Sequence, residues 1–392
     1  MSLSSLPISY CTNVHPGRTL EEVCFGLREY TAPTQRQFGS PLAAGLWLAD
    51  SVIQEMKADT SGLSRLADEL SSHDLVCYTL NAFPFGNFHS DRVKEQVYVP
   101  DWSTDARLTY TIDSARVLSR LMPEGTEGSL STVPLGFKQL PHQDDFLDLC
   151  IRNLLSLAQL LDQLHDETGR VVRLAIEPEP LCVLETTDET INFFSQLNKR
   201  AESEGLRDVV MRHIGVCYDV CHQSVEFEDV AESIRRLNQA EIRINKVHIT
   251  CALRLVDPAN NAEARETLAH FVEPRYLHQL FARTQQDRIL ATVDLSRPLA
   301  LEPPDDYLNA QEWRVHFHVP VNAESLGPLL TTRDDLKRAL AAVAELNYAP
   351  HLEVETYTWV VLPGENQMPL IDGLTEELKA TRSLLTELNE VR

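Results

Sequence analysis

An α/β chain closed into a (β/α)8 barrel is the fold this sequence predicts, on three observations. Short apolar runs rich in β-branched residues recur eight times along the chain. Longer segments of helical period fill the gaps between them. At 392 residues the chain is too long for a small open sheet. Continuous apolar strands are what a parallel sheet, covered on both faces, requires. A doubly wound sheet is the other fold this alternation permits. No strand, however, is followed by a G-x-G-x-x-G or G-x-x-x-x-G-K-S/T loop, which weakens the nucleotide-binding versions of such a sheet.

The strands are expected over 7–13 (PISYCTN), 46–50 (LWLAD), 75–83 (LVCYTLNAF) and 132–137 (TVPLGF). They continue over 171–177 (VVRLAIE), 213–219 (HIGVCYD), 244–250 (INKVHIT) and 351–357 (HLEVETY). Between them, 103–122 opens on a serine cap and 144–168 is amphipathic. The helix after Thr186 carries Glu189 three residues on, a capping box, and stops at Gly205. FEDVAESIRRLNQAE and RDDLKRALAAVAELN complete the set.

The alternation breaks between 255 and 312, where a helical stretch (AEARETLAHFVEPRYLHQLFAR), a strand-like RILATV and a Pro-rich loop intervene before the extended WRVHFHVPV. This reads as a long insertion after the seventh strand of a single domain spanning 1–392. Such loops lie on the C-terminal face of a barrel, where active sites are built.

Net charge is −23, from 35 basic and 58 acidic residues. Nucleic acid is a poor partner for such a chain, because affinity for it comes mainly from neutralising phosphates. The N-terminus has no basic segment followed by an apolar one, and no apolar stretch approaches the roughly 20 residues needed to cross a bilayer. A soluble, cytoplasmic protein is expected, with no membrane insertion. Oligomeric state is not legible. Eight cysteines are scattered through apolar runs and read as buried thiols. Cys217 and Cys221 lack the spacing of a zinc knuckle.

The chemistry gathers at strand ends. The fifth strand ends in Glu177, the sixth in Asp219 with His222 three residues later, the seventh in His248, and the last in Glu353 and Glu355. In a barrel these ends converge on one mouth. Several carboxylates desolvated together repel one another, and a divalent cation removes that cost. Mixed carboxylate and imidazole ligands suit Mn²⁺ or Zn²⁺ better than Ca²⁺ or Mg²⁺. Singly, a strand-end carboxylate can simply cap the next helix, and a lone histidine is more often a core residue. Glu353 and Glu355 share one face by the strand period of two; Glu355, nearer the C-terminal end, is the preferred ligand. Around the mouth, Asn81, Phe83, His89, Lys94 and Trp102 follow the third strand, a mixture that suits a polyol or sugar-like ligand or a rigid self-packed loop. His316 and His318 share one side of an extended segment, fitting a second metal position together with His222, a substrate clamp, or a polar strand face. Arg254 is placed as an anion or hydroxyl hook.

The ordered set Glu177, Asp219-x-x-His222, His248 with Arg254 and a terminal glutamate resembles the xylose isomerase-like TIM barrel superfamily. That group includes sugar-phosphate isomerases and epimerases and the endonuclease IV-type (AP endonuclease family 2) repair enzymes. The phrases TLNAFPFGNFH, VKEQVYVPDW, VPLGFK and HLEVETYTW look more narrowly like EboE-type metabolite traffic proteins, encoded in bacterial clusters linked to moving a secondary-metabolite precursor toward the periplasm. The resemblance implies one divalent metal on Glu177, Asp219, His248 and Glu355. It implies that Glu177 and Glu355 exchange a proton beside a substrate carbonyl through a metal-stabilised enediolate. Asn81, His89, His222, Arg254 and Trp102 would contact a small sugar-like or polyol-like metabolite. It also makes His316-x-His318 similar to the additional pair of the trinuclear endonucleases, with histidine in place of the usual aspartate. LWLAD and TLNAF do not supply the remaining histidines, although His89 can replace one, so DNA cleavage is not the expected activity. A metabolite carrier and a metal-dependent phosphoesterase stay open beside the isomerase or epimerase.

Overall fold

A computed structural model describes residues 3–364 and 367–390. Eight parallel strands close the barrel: β1 (Ser9–Cys11), β2 (Ala43–Trp47), β3 (Thr79–Asn81), β4 (Gly128–Thr132), β5 (Val172–Ile176), β6 (Ile214–Asp219), β7 (Ile244–Ile249) and, late in the chain, β14 (His351–Val354). β14 pairs with β7 on one side and β1 on the other, so no edge is left exposed. Helices at Asp105–Leu121, Phe146–Thr168, Thr187–Ser203, Val230–Gln239 and Arg333–Val343 cover the outside. The Thr186/Glu189 capping box forms at the start of the third of these. All eight cysteines are free and buried. No described helix is long and apolar enough to cross a membrane.

Two strands lie elsewhere than expected. β2 runs three residues earlier than 46–50, because the helix Asp50–Ala58 already starts at the end of that run. Its Ala-Ala-Gly opening has little strand propensity, which concealed it. β4 is the polar GSLST at 128–132, whereas VPLGF is a loop containing Leu135 at φ +66°. A hydrophobic run selected the wrong segment here, since this strand places serines inside the barrel. Ser129 Oγ lies 2.8 Å from Thr79 Oγ1 and 2.7 Å from His351 Nδ1.

After β7 the chain leaves the barrel at once. It builds β8 (Cys251–Val256), β9 (Leu280–Arg283), β10 (Ile289–Thr292), β11 (Glu312–Val319), β12 (Ser325–Leu326) and β13 (Leu329–Thr331). These form a second, antiparallel sheet in the order β10-β9-β11-β8-β13-β12. The segment 255–312 thus lies inside an excursion that starts at β8 and ends at β13. Its expected long helix is a short one, Ala262–Leu268, extended by a 3-10 turn Ala269–Phe271, and LFAR is strand. β11 carries His316 and His318 back to the barrel mouth.

Candidate metal centre and cavity

Four ends of adjacent strands place Glu177, Asp219, His248 and Glu355 together, with one ligand atom from each lying within 4.8 Å of the others. His248 Nδ1 is 2.9 Å from Glu177 Oε1, 3.0 Å from Glu355 Oε2 and 3.5 Å from Asp219 Oδ2. One N–H cannot serve three carboxylates. Asp219 Oδ2 is buried without a hydrogen-bond partner, a cost that a protein tolerates where an ion takes up the charge. The residues present therefore fit a divalent cation.

Each ligand is held from behind. Asp219 Oδ1 accepts from the His222 backbone N–H at 3.0 Å and from Thr250 Oγ1 at 2.7 Å, leaving Oδ2 for the centre. The Asn13 and Asn81 amides donate to Glu355 Oε1 at 2.8 and 2.7 Å. Glu353 lies deeper in the barrel, where its Oε1 is 2.6 Å from Lys246 Nζ and 3.3 Å from His248 Nε2. That carboxylate stands behind the His248 imidazole, on the side away from the other three groups.

The charges follow from the surroundings. Burial alone raises Asp219, but His222, His318 and His248 outweigh it and hold the carboxyl well below its usual range. Burial raises Glu177 more than His248 lowers it. Burial alone depresses His248, yet Cys217, Glu177 and Glu355 push it well above an ordinary imidazole. Glu353 is held down to about 2, because Lys246 and His248 overcome its burial.

A second group of side chains stands beside the first. His222 Nδ1 is 3.1 Å from the Pro178 carbonyl oxygen, His316 Nδ1 is 2.7 Å from Gln279 Oε1, and His318 Nδ1 is 2.7 Å from the Glu355 carbonyl oxygen. Those oxygens only accept, so each Nδ1 carries a proton and each Nε2 is the atom turned away from that bond. His316 Nε2 and His318 Nε2 lie 3.3 Å apart. Burial, followed by the fields of His222 and His318, keeps His316 well below its usual pKa, and burial likewise lowers His222. Asp219, His222 and His318 form one ligand group, and Glu179, His222 and His316 form another.

Both groups open into a cavity lined also by Asn13, Phe83, Phe88, Tyr98, Tyr276 and Tyr357. The sequence-derived residues divide accordingly. Glu177, Asp219, His248 and Glu355 meet; His222, His316 and His318 flank them; Asn81 fixes Glu355. His89 sits outside the lining, its Nε2 2.8 Å from the Asn13 carbonyl oxygen and its ring against Trp47. Trp102 is wholly buried behind the wall, donating to Thr132 Oγ1. Arg254 belongs to β8 in the second sheet and pairs with Glu312 at 2.8 Å, away from the cavity. Lys94 reaches the lining, but its ammonium is engaged by the Tyr276 carbonyl and Asp294. Asn13, Glu179, Tyr98, Tyr276 and Tyr357 were not singled out from sequence. Asn13 closes PISYCTN and Glu179 follows Glu177 in EPEP, so strand-end position was an available signal for those two. Tyr276 had none.

No family model and no curated protein matches the chain. Solved structures do. A xylose isomerase-like TIM barrel protein from Mycobacterium smegmatis in complex with magnesium superposes with TM-score 0.54 at 11% identity, over 99% of both chains. IOLI protein with a zinc atom gives 0.51 at 13%, over 97% of this chain and 99% of that one. L-ribulose 3-epimerase gives 0.51 at 13%, over 100% and 96%. At such identities the likeness is one of fold. The fold is a (β/α)8 barrel, and its structural neighbours are xylose isomerase-like TIM barrels.

Proposed function

We propose that this protein is a metal-dependent isomerase or epimerase that moves a proton beside the carbonyl of a small, sugar-like, polyhydroxylated metabolite. One observation carries the reading. Glu177 directs Oε1 to the ligand cluster and leaves Oε2 buried and unpartnered, one oxygen for an ion and one for a substrate proton. Glu177, Asp219, His248 and Glu355 would hold the ion, Mn²⁺ or Zn²⁺. A divalent ion there supplies electron withdrawal from a substrate carbonyl, which acidifies the adjacent C–H.

The chain's own groups do the rest. Glu177 Oε2, buried and free of other partners, accepts the proton. Glu355, its Oε1 fixed by two amides, is the partner that returns a proton. His222 at the cavity wall contacts a substrate oxygen. The magnesium- and zinc-bound neighbours and the epimerase among them support this reading.

Two observations favour other readings. The imidazole trio His222, His316 and His318 supports a second ion and hence phosphate-ester hydrolysis. The phrases similar to EboE-type proteins support a carrier, serving a secondary-metabolite export cluster, that holds its ligand unchanged. Elemental analysis with anomalous scattering, combined with solvent exchange of a substrate C–H proton in D₂O, separates the three. One ion per chain with exchange is expected. Absence of stoichiometric metal, together with Glu177→Ala leaving ligand affinity unchanged, overturns the proposal.

A further inference from the structure

Above its acidic floor the cavity has an unusual inventory. Three lining carboxylates, Glu177, Glu179 and Glu355, belong to the ligand groups, with Asp219 behind them. Among the described residues no arginine lines the cavity, and the one lining lysine, Lys94, is buried and engaged by the Glu273 and Tyr276 carbonyls and Asp294. An anionic substituent entering here meets carboxylates and neither an arginine nor a free lysine among the described residues.

Several of the lining donors are already engaged. Asn13 and Asn81 donate to Glu355, the Tyr98 hydroxyl donates to Glu179 at 2.7 Å, and the Tyr276 hydroxyl donates to the Phe88 carbonyl. Acceptors that remain free, Asn13 Oδ1, Glu177 Oε2 and Glu179 Oε2, gather the hydroxyls of a substrate at the carboxylate floor. The walls instead offer rings and aliphatic carbon. Phe88, Tyr276 and Tyr357 pack with centroids 4.9, 5.0 and 5.4 Å apart. Phe83, Val93, Val97 and Leu277 add apolar surface.

We infer that the substrate of this site lacks phosphate or any other anion and joins a hydroxyketone-like head, placed at the carboxylate floor, to an apolar, ring-sized body. The inference rests on the proton-transfer reading and narrows its substrate class. The head supplies the two adjacent oxygens and the acidic C–H that the floor acts on; the body lies against the aromatic wall, where apolar contact replaces directed hydrogen bonds.

The test uses the full-length, Mn²⁺-loaded protein and three probes with the same head: 2-hydroxyacetophenone, dihydroxyacetone and dihydroxyacetone phosphate. Calorimetry is expected to give at least ten-fold tighter binding of the aryl ketone than of dihydroxyacetone, with the phosphate no tighter than dihydroxyacetone. Tightest binding of the phosphate, or equal binding of the aryl and parent ketones, overturns the substrate class. Phe88→Leu, which keeps the wall filled, is expected to reduce the aryl preference at least three-fold; an unchanged preference also overturns it. Proton NMR in D₂O reads the chemistry separately. Aryl preference without C–H exchange on any probe retains the class and removes the proton-transfer reading, whereas exchange confined to the phosphate does the reverse.

Discussion

Lys246 Nζ lies 2.6 Å from Glu353 Oε1, with both side chains fully buried inside the barrel. The register makes this contact, since Lys246 pairs with His351 and His248 with Glu353 across β7 and β14. Ser9 Oγ donates to the other Glu353 oxygen at 2.8 Å. Glu353 is thus ion-paired below the mouth, and Glu355, two residues on, faces the candidate metal centre.

Removing one partner strands a buried charge. Lys246→Met is expected to lower stability by about 3–5 kcal/mol, measured by urea unfolding. Lys246→Met with Glu353→Leu is expected to recover part of that loss. Glu353→Gln should keep stoichiometric metal, while Glu355→Gln loses it; the reverse result would exchange their roles.

Gly45 is required by the same buried carboxylate. A Cβ there would stand 1.5 Å from Glu353 Oε2 and 2.7 Å from Ser9 Oγ. Gly45→Ala must displace the ion pair, and a destabilisation of about 3 kcal/mol is expected from overpacking, read as a lower denaturation midpoint.

Metal should stabilise the folded chain. A ligand present at about 100 times its Kd adds roughly 2.7 kcal/mol, so EDTA is expected to lower the Tm by several degrees and Mn²⁺ or Zn²⁺ to restore it. Asp219→Asn should abolish that response. His316→Ala with His318→Ala should leave one ion bound and remove any second.

Acid sensitivity has identifiable sources away from the centre. Burial, aided by the field of His89, pushes His15 down to about 3. Burial, aided by Lys246, does the same to His351. Both folded values lie below the unfolded histidine value of about 6.5. Their contribution is complete above that value and is lost as pH falls from 6.5 toward 3, at up to about 1.4 kcal/mol per pH unit for each group. Chemical denaturation at pH 7.5 and 5.0 should show the fall, and His351→Gln should reduce its slope.

The cluster of candidate ligands was legible because inward-facing residues at the C-terminal ends of barrel strands must converge, whatever the loops do. Glu177, Asp219 and His248 needed only strand order. Arg254 was misplaced because the chain leaves the barrel immediately after Thr250, which sends β8 into another sheet and pairs Arg254 with Glu312. β4 was invisible to a search for apolar runs, since its serines serve a polar network inside the barrel.

By itself, the sequence determined the barrel, the meeting of Glu177, Asp219 and His248 at its mouth and the helix capped by Thr186, all properties of local pattern and of order along the chain. Tertiary structure alone separated Glu353, which meets Lys246 and Ser9, from Glu355, which meets Asn13, Asn81 and the candidate ligand cluster. It also decided that Tyr276 closes the cavity and that three imidazoles turn their Nε2 atoms together. Those relationships join residues far apart in the chain, through hydrogen bonds that no local periodicity encodes.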